Sequence, residues 1–134
     1  MSDITSALKL IDLSVKEFEF KRNYEFSIET EIELQFNFFA EIDISEEQAR
    51  LQLSCTIFDE DFNKNKQPFY LRISMYGFFE SREIGIEDFQ LNSMAILLPY
   101  LRAIVISFTA QTGLPPVIIP PINVYNLKKQ VQKK

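Results

Sequence analysis

The residues best suited to acid–base chemistry cluster around the segment SREIGIEDF, residues 81–89. The carboxylates there belong to Glu80, Glu83, Glu87 and Asp88. Two carboxyl groups act as general acid and general base only when their separation and surroundings set their pKa values apart, and sequence spacing fixes neither. A charged loop before a helix explains these residues better than an active site, so we predict no catalytic residues and no enzymatic activity.

Nucleophilic and metal chemistry are constrained by the absence of histidine and the presence of one cysteine, Cys55. Without histidine, the common zinc-site patterns and the Ser-His and Cys-His arrangements are unavailable. A single cysteine also excludes an internal disulfide. Cys55 alternates with apolar residues, which predicts a buried and unreactive thiol. We predict neither a metal site nor a cofactor.

The chain is acidic but ends in a basic tail. It carries 19 acidic and 14 basic residues, a net charge of −5. Four of the bases are Lys128, Lys129, Lys133 and Lys134, so residues 1–127 hold 19 acids against 10 bases, a net charge of −9. This balance disfavours nucleic acid as a partner.

Alternation of apolar and polar residues predicts four antiparallel strands in the first 80 residues. The first lies within residues 8–20, where a change of parity predicts a bulge near Lys16. The other three are predicted in residues 28–44, 49–57 and 69–78. Short connections without crossover helices favour a meander-like order.

The hydrophobic period then changes to three and four residues, which predicts a helix from near Asn92 to Gly113. Pro99 either kinks this helix or marks its first turn. Residues 114–123, LPPVIIPPIN, contain two proline pairs and are expected to be extended. A short helix from Val124 to about Gln132 is expected to close the chain.

These elements predict a single α+β domain over residues 1–134, with the sheet in residues 1–90 and a helical region with a proline-rich link in residues 91–134. The apolar run Met94–Ala110 has only 17 residues, and Arg102 at mid-membrane depth would cost about 2.5 kcal/mol or more, so we predict a helix outside the membrane. The N-terminus shows no secretion signal, which predicts a cytoplasmic protein.

A series of motifs near the C-terminus is more specific. An apolar helix contains the pair Pro99–Tyr100 and stops at Gly113, and a proline-containing extended segment leads through Pro121–Ile122–Asn123 to the last helix. This series, LLPYLRAIVISFTAQTGLPPVIIPPINVYNL, resembles the SecB family of protein-export chaperones. Looser matches are VKEFEF, EIELQFNF and GFFE.

The resemblance implies an ATP-independent holdase with a four-stranded antiparallel sheet, long helices and apolar grooves for unfolded chains, assembled as a tetramer in the form of a dimer of dimers. Its clients would be preproteins for export or a dedicated client such as an antitoxin. The 13 phenylalanines would suit such a groove, because a surface for many sequences needs large apolar side chains without a fixed hydrogen-bond pattern.

Family grooves are walled by residues of the link between the first two strands and of the sheet beside it. Ordinary core packing competes as an explanation for Ile32, Leu34 and Phe36. The opposite sheet face is also too aromatic to contact only water. The client-binding residues are therefore predicted to be Tyr24, Phe26, Ile28, Phe36, Phe39, Tyr76 and Phe78.

The family docks the translocase motor SecA through an acidic patch on the outer sheet face. Glu17 and Tyr70 match two of those positions, whereas Lys21 and Arg72 reverse the charge at the other two, which disfavours SecA docking in the usual manner. Acidic residues nearby offer a displaced acidic face. The partner-docking residues are therefore predicted to be Glu17, Glu29, Glu31, Glu33, Tyr70 and Arg72.

A second hypothesis needs no client. In a structural or regulatory homo-oligomer, self-assembly would bury the aromatic surfaces and leave no holdase activity. Binding of a dye to exposed apolar surface distinguishes the two hypotheses.

Overall fold

The computed structural model describes residues 8–25, 34–45, 48–62, 64, 67–80, 85–114, 117–119 and 132–133, of which 86, 87, 132 and 133 are described by their backbone alone. The elements are β1 (Lys9–Arg22), β2 (Phe36–Ile44), β3 (Gln48–Ile57), β4 (Phe69–Glu80), α1 (Ile86–Ala110) and β5 (Gln132–Lys133). The predicted α+β fold, a four-stranded antiparallel sheet with one long helix, is confirmed.

The strand order is β1-β4-β3-β2-β5. Strands β2, β3 and β4 form antiparallel hairpins, and β1 pairs antiparallel with β4 rather than β2. The predicted meander-like order is therefore wrong, because alternation identifies the face of each residue but not the neighbour of each strand. The short strand β5 adds a parallel partner to β2, which the sequence did not predict.

Strand β1 is irregular. Its register against β4 shifts between Leu10 and Asp12 and again between Val15 and Glu17. The second shift leaves Lys16 as the extra residue, so the bulge predicted from the change of parity is confirmed. Beyond it, Phe18 and Phe20 lie opposite Ile73 and Leu71, and their side chains pack against the core.

Helix α1 covers the helix-side face of the sheet, which we define by the residues Phe38, Leu51, Leu53, Ile73 and Met75. Its own buried residues include Phe89, Met94, Leu97, Leu101 and Val105. The ring of Phe89 contacts Phe79 edge-on at 5.5 Å. Phenylalanine is thus used mainly to fill this core rather than to line a groove, since most of the described phenylalanines are buried or packed against it.

The helix begins at Ile86 and not near Asn92. Glu87 and Asp88 belong to its first turn, where acidic residues favour the positive end of the helix dipole. Pro99 lies inside the helix, so the alternative of a proline-initiated helix is wrong. Proline cannot donate to the carbonyl four residues earlier, but its side chain is exposed, so water can solvate that side of the helix.

The end of α1 holds the described part of the proline-rich segment. Gly113 has φ +88, a left-handed conformation typical of a helix end. Residues 117–119 belong to neither helix nor strand. Val117 N–H donates to Thr109 Oγ1 at 2.8 Å, and Arg102 Nε donates to the carbonyl of Ile119 at 2.9 Å. The arginine in this apolar helix therefore anchors the segment.

The predictions of an extended proline-rich link and of a last helix are tested only where the structure describes those residues. The four prolines of the link and residues 124–131 of the predicted last helix lie outside the described residues. Gln132 belongs to strand β5, so a helix that reaches Gln132 is wrong.

By length and composition, Asp88–Ala110 could cross a membrane, since it has 23 residues and contains an 18-residue window with a mean hydropathy of 1.6. The core helix of a globular domain passes the same test. Here Leu97, Leu101 and Val105 are fully buried in the same core as the sheet, and we therefore describe α1 as the core helix of this domain.

Candidate binding face of the sheet

The face of the sheet turned away from α1, which we call the outer face, is formed by the alternate residues of four strands. They are Glu17, Glu19 and Lys21 of β1, Tyr70, Arg72, Ser74, Tyr76 and Phe78 of β4, Arg50, Gln52, Ser54 and Thr56 of β3, and Asn37, Phe39, Glu41 and Asp43 of β2. Among the described elements no helix covers this face. At its centre the hydroxyl groups of Ser54 and Ser74 are 2.8 Å apart and buried.

An aromatic cluster flanked by cations lies on one half of the outer face. The guanidinium of Arg50 is 4.8 Å and the ammonium of Lys16 is 5.5 Å from the centre of the Tyr76 ring. The ring of Phe78 is 5.8 Å from that of Tyr76. Cations over an aromatic face are attracted by its quadrupole, so this cluster presents both apolar and cationic surface.

Lys21 and Arg72, which reverse the charge found at the family's docking positions, each form an ion pair with a carboxylate of β1. Arg72 Nε lies 3.3 Å from a carboxylate oxygen of Glu17, and Lys21 Nζ lies 3.9 Å from one of Glu19. These side chains are largely exposed, so each pair contributes at most about 1 kcal/mol to stability. Glu17 is consequently engaged with Arg72, and a partner that docks here must compete with that pair.

A cavity of about 280 Å³ opens at the other half of the outer face. It is lined by Asn37, Phe39, Ser54, Thr56, Phe58, Asp59, Glu60, Tyr70 and Arg72. Phe58 has φ 62, a conformation that is strained for a bulky residue, and it starts the loop that forms the cavity wall. Its amide donates to the carbonyl of Gln35 at 2.9 Å, which holds the turn.

Tyr70 is only 3% exposed, so it forms the floor of the cavity rather than a projecting contact. Burial raises the pKa of its hydroxyl, and the negative charges of Glu60 and Glu19 raise it further, whereas Arg72 lowers it. The phenol is therefore neutral at physiological pH. It adds a neutral polar group to a lining that combines polar side chains with the rings of Phe39 and Phe58.

Tyr24 marks the start of the link that follows β1. Its side chain is 84% exposed. The guanidinium of Arg22 lies 4.9 Å from its ring centre, and the same arginine donates to the carbonyl of Thr112 at 3.3 Å. Tyr24 is thus an exposed aromatic ring whose neighbour is tied to the end of α1.

The predicted site residues are distributed over both faces. Phe39, Tyr76, Phe78, Glu17, Tyr70 and Arg72 share the outer face, which brings client-binding and partner-docking candidates onto one surface. Phe36 lies on the helix-side face, with its ring 6.4 Å from Phe38, and packs against the core. Phe26, Ile28, Glu29, Glu31 and Glu33 lie outside the described residues.

Several residues of the outer face were not predicted from the sequence. Arg50 and Lys16 reach Tyr76 from β3 and from the β1 bulge, and Phe58, Asp59 and Glu60 belong to the loop after β3. The cross-strand contact of Arg50 follows from a register that the sequence does not specify. The polar sequence of the loop after β3 did not predict that this loop forms a wall of the cavity.

Cys55 lies on the helix-side face and is fully buried. Burial raises the pKa of its thiol to about 12, so the nucleophilic thiolate is scarce at neutral pH. Within the described ranges, no three potential metal ligands come together.

The sequence profile described as "Preprotein translocase subunit SecB" matches residues 6–134. The chain belongs to the SecB family. It is 33% identical over 133 residues to the uncharacterized protein MJ0357 of Methanocaldococcus jannaschii, a match that covers 95% of this chain and 86% of that protein. The resemblance inferred from the C-terminal motifs is thereby confirmed.

The SecB fold is also seen in a solved structure. The SecB-like chaperone Rv1957 of Mycobacterium tuberculosis, in complex with a ChAD peptide from the HigA1 antitoxin, has a TM-score of 0.70 against this chain. The sequences are 14% identical, and the match covers 90% of this chain and 94% of that one. At this identity the comparison demonstrates a shared fold.

Proposed function

We propose that this SecB-family chain is an ATP-independent chaperone that holds unfolded or aggregation-prone polypeptides in the cytoplasm. The observation that carries the proposal is the outer face, where Phe39, Tyr76 and Phe78 offer half-buried aromatic rings that no described helix covers. Apolar surface of this kind suits contacts with many sequences, because it demands no fixed hydrogen-bond pattern. Tyr24 adds an exposed ring at the start of the link.

Two kinds of client fit this proposal. Export would require SecA, and the ion pairs of Arg72 and Lys21 with Glu17 and Glu19 make the outer face a poorer acidic docking patch. A dedicated client, such as an antitoxin, needs no such patch. The fold shared with a chaperone solved with an antitoxin peptide supports this second kind, and we favour it.

We propose in addition that the chain assembles as a homo-oligomer, in the form of a dimer of dimers. The solvent side of α1 supports assembly, since Ala95, Pro99, Tyr100 and Ala103 are exposed and none is charged. Ile11 and Val15 of the edge strand β1 are also exposed. Surfaces of this type are commonly covered by another copy of the chain.

The test is light scattering of a chemically denatured model protein diluted into buffer without nucleotide. We expect near-stoichiometric amounts of the chaperone to suppress aggregation. Replacing both Tyr76 and Phe78 with serine should weaken client binding by about tenfold, the equivalent of about 1.4 kcal/mol, without changing the native mass of the assembly.

Tyr100→Ser provides the matched control, because it removes an exposed ring on α1 and is expected to change the native mass before it changes client binding. Unchanged aggregation with wild-type protein that is folded and oligomeric would refute the holdase and favour a structural oligomer. Binding of an apolar-surface dye to that oligomer would then be absent.

A further inference from the structure

We infer that the edge of β2 opposite β3 is a strand-addition site for an extended polypeptide, and that the chain's own C-terminal residues occupy this site until a client displaces them. The client half of this inference rests on the proposed function. The starting observation is that Gln132 and Lys133 pair in parallel with Phe39 and Ala40. Every other pair of strands in the described sheet is antiparallel.

The contact of β5 is suited to displacement because it is short. The described part of β5 has two residues, whereas β2 has nine. Parallel pairing is also slightly weaker per residue than antiparallel pairing. Within the described part of the chain, the strand bridges on this edge of β2 involve only Phe39 and Ala40, so a longer extended chain could form more of them.

The edge itself is a regular template. The nine residues of β2 pair with β3 from Phe36 to Ile44 without a shift of register. An edge of this kind presents a row of backbone N–H and C=O groups, and an added strand gains affinity from main-chain hydrogen bonds. Side-chain pockets beside the edge then select the sequence.

Charge and shape favour a basic or mixed strand with a large apolar residue. The outer-face residues of β2 include Glu41 and Asp43 and no base, while four of the last seven residues of the chain are lysines. Asp43 lies 3.9 Å from Arg50 of β3 but stays largely exposed, so a lysine of an added strand can still approach it. Opposite charges of this kind guide association. The 280 Å³ cavity lies directly beside the edge, since Asn37 and Phe39 form one of its walls, and it is large enough to accept one side chain of an added strand.

A tail bound within the same chain competes with clients. Its local concentration is high because it is tethered, and the apparent affinity of a client falls in proportion to the fraction of β2 edges that remain free. If the tail occupies about nine edges in ten, release of the tail should tighten client binding by about tenfold. The basic tail would thus make binding selective for clients that pair with β2 over a longer stretch than the tail does.

The test uses the full-length chain with Ala40→Cys and Lys133→Cys, a directly opposed pair. Oxidation should form an intramolecular disulfide that migrates as a compact monomer in a denaturing gel. The oxidised protein has no free β2 edge, so it is expected to hold an unfolded client at least about tenfold less well than the same protein in reductant. All variants carry Cys55→Ala, because Cys55 is a diagonal neighbour of position 40 on the same face of the sheet. The two single variants in this background should show no intramolecular redox effect.

The outcomes separate the parts of the inference. If the disulfide forms and client binding is unchanged, the β2 edge is not the client site. If oxidation produces no intramolecular cross-link, the tail does not occupy β2. If the wild type, the single variants and the reduced double variant all fail to hold a client, the proposed holdase function is refuted, and the cross-link still decides where the tail lies.

Discussion

Thr109 provides the sharpest test of how the proline-rich segment is held. Its side chain is fully buried, and its hydroxyl donates to the carbonyl of Val105 at 2.8 Å while it accepts the N–H of Val117 at 2.8 Å. Thr109→Val keeps the shape but removes the acceptor. The N–H of Val117 would then be buried without a partner, which costs about 1–3 kcal/mol.

Thr109→Ser is the matched control, because it keeps the hydroxyl and loses one methyl group, worth about 1 kcal/mol. Urea unfolding should show the valine variant to be the less stable of the two. Hydrogen exchange should show faster exchange of the Val117 amide, by about tenfold or more, in the valine variant only. The hydroxyl does not hold the segment if the free energy of unfolding of Thr109→Val lies within about 0.5 kcal/mol of the wild-type value and its Val117 amide exchanges as slowly as in wild type.

The remaining predictions concern the core. Gln90 is fully buried, and neither polar atom of its side chain has a partner among the described groups. Gln90→Met should therefore raise the free energy of unfolding, measured by urea titration, by about 1–2 kcal/mol. A loss of stability would contradict this explanation. A Cβ on Gly77 would lie 2.8 Å from Leu97 Cδ1, so Gly77→Ala should destabilise by about 1–3 kcal/mol. Addition of Leu97→Val should offset part of that loss, and strictly additive effects would refute the steric explanation. The pKa of Cys55 is raised from 9.0 to about 12, so the fold favours the protonated thiol. The contribution of the protonated thiol to the free energy of unfolding is present below pH 9. It is lost as pH rises toward 12, by up to about 1.4 kcal/mol per pH unit. The difference in unfolding free energy between wild type and Cys55→Ala should shrink over that range, and a constant difference would contradict the shift.

The fold was predictable where one physical signal dominates. Alternation identified the inward face of β3 and β4, and the change of parity located the bulge at Lys16. It did not predict that β1 pairs with β4, because the choice of neighbour depends on contacts distant in sequence. The helix start was missed because the acidic residues before Asn92 are equally typical of a loop and of a first helical turn.

The candidate site was predictable only in part. Phe39, Tyr76 and Phe78 were identified because aromatic residues on a polar-parity face are unusual. Their cationic neighbours were not, since the contact of Arg50 with Tyr76 depends on cross-strand register. Tyr70 was predicted to be a docking residue because it matches a docking position of the SecB family. Its deep burial depends on the loop after β3, whose polar sequence did not predict a contact with the sheet.

The two outermost strands of the four-stranded antiparallel sheet, β1 and β2, are physically unequal. Strand β1 has register shifts at two places, so its longest regular stretch is the six residues from Glu17 to Arg22, whereas β2 is regular over all nine. A regular strand of another chain can therefore pair with β2 along its whole length, whereas pairing with β1 would lose register after about six residues. The proposed strand-addition site would therefore lie on the regular strand, while the irregular strand β1 resists the open-ended stacking of strands that leads to fibrils.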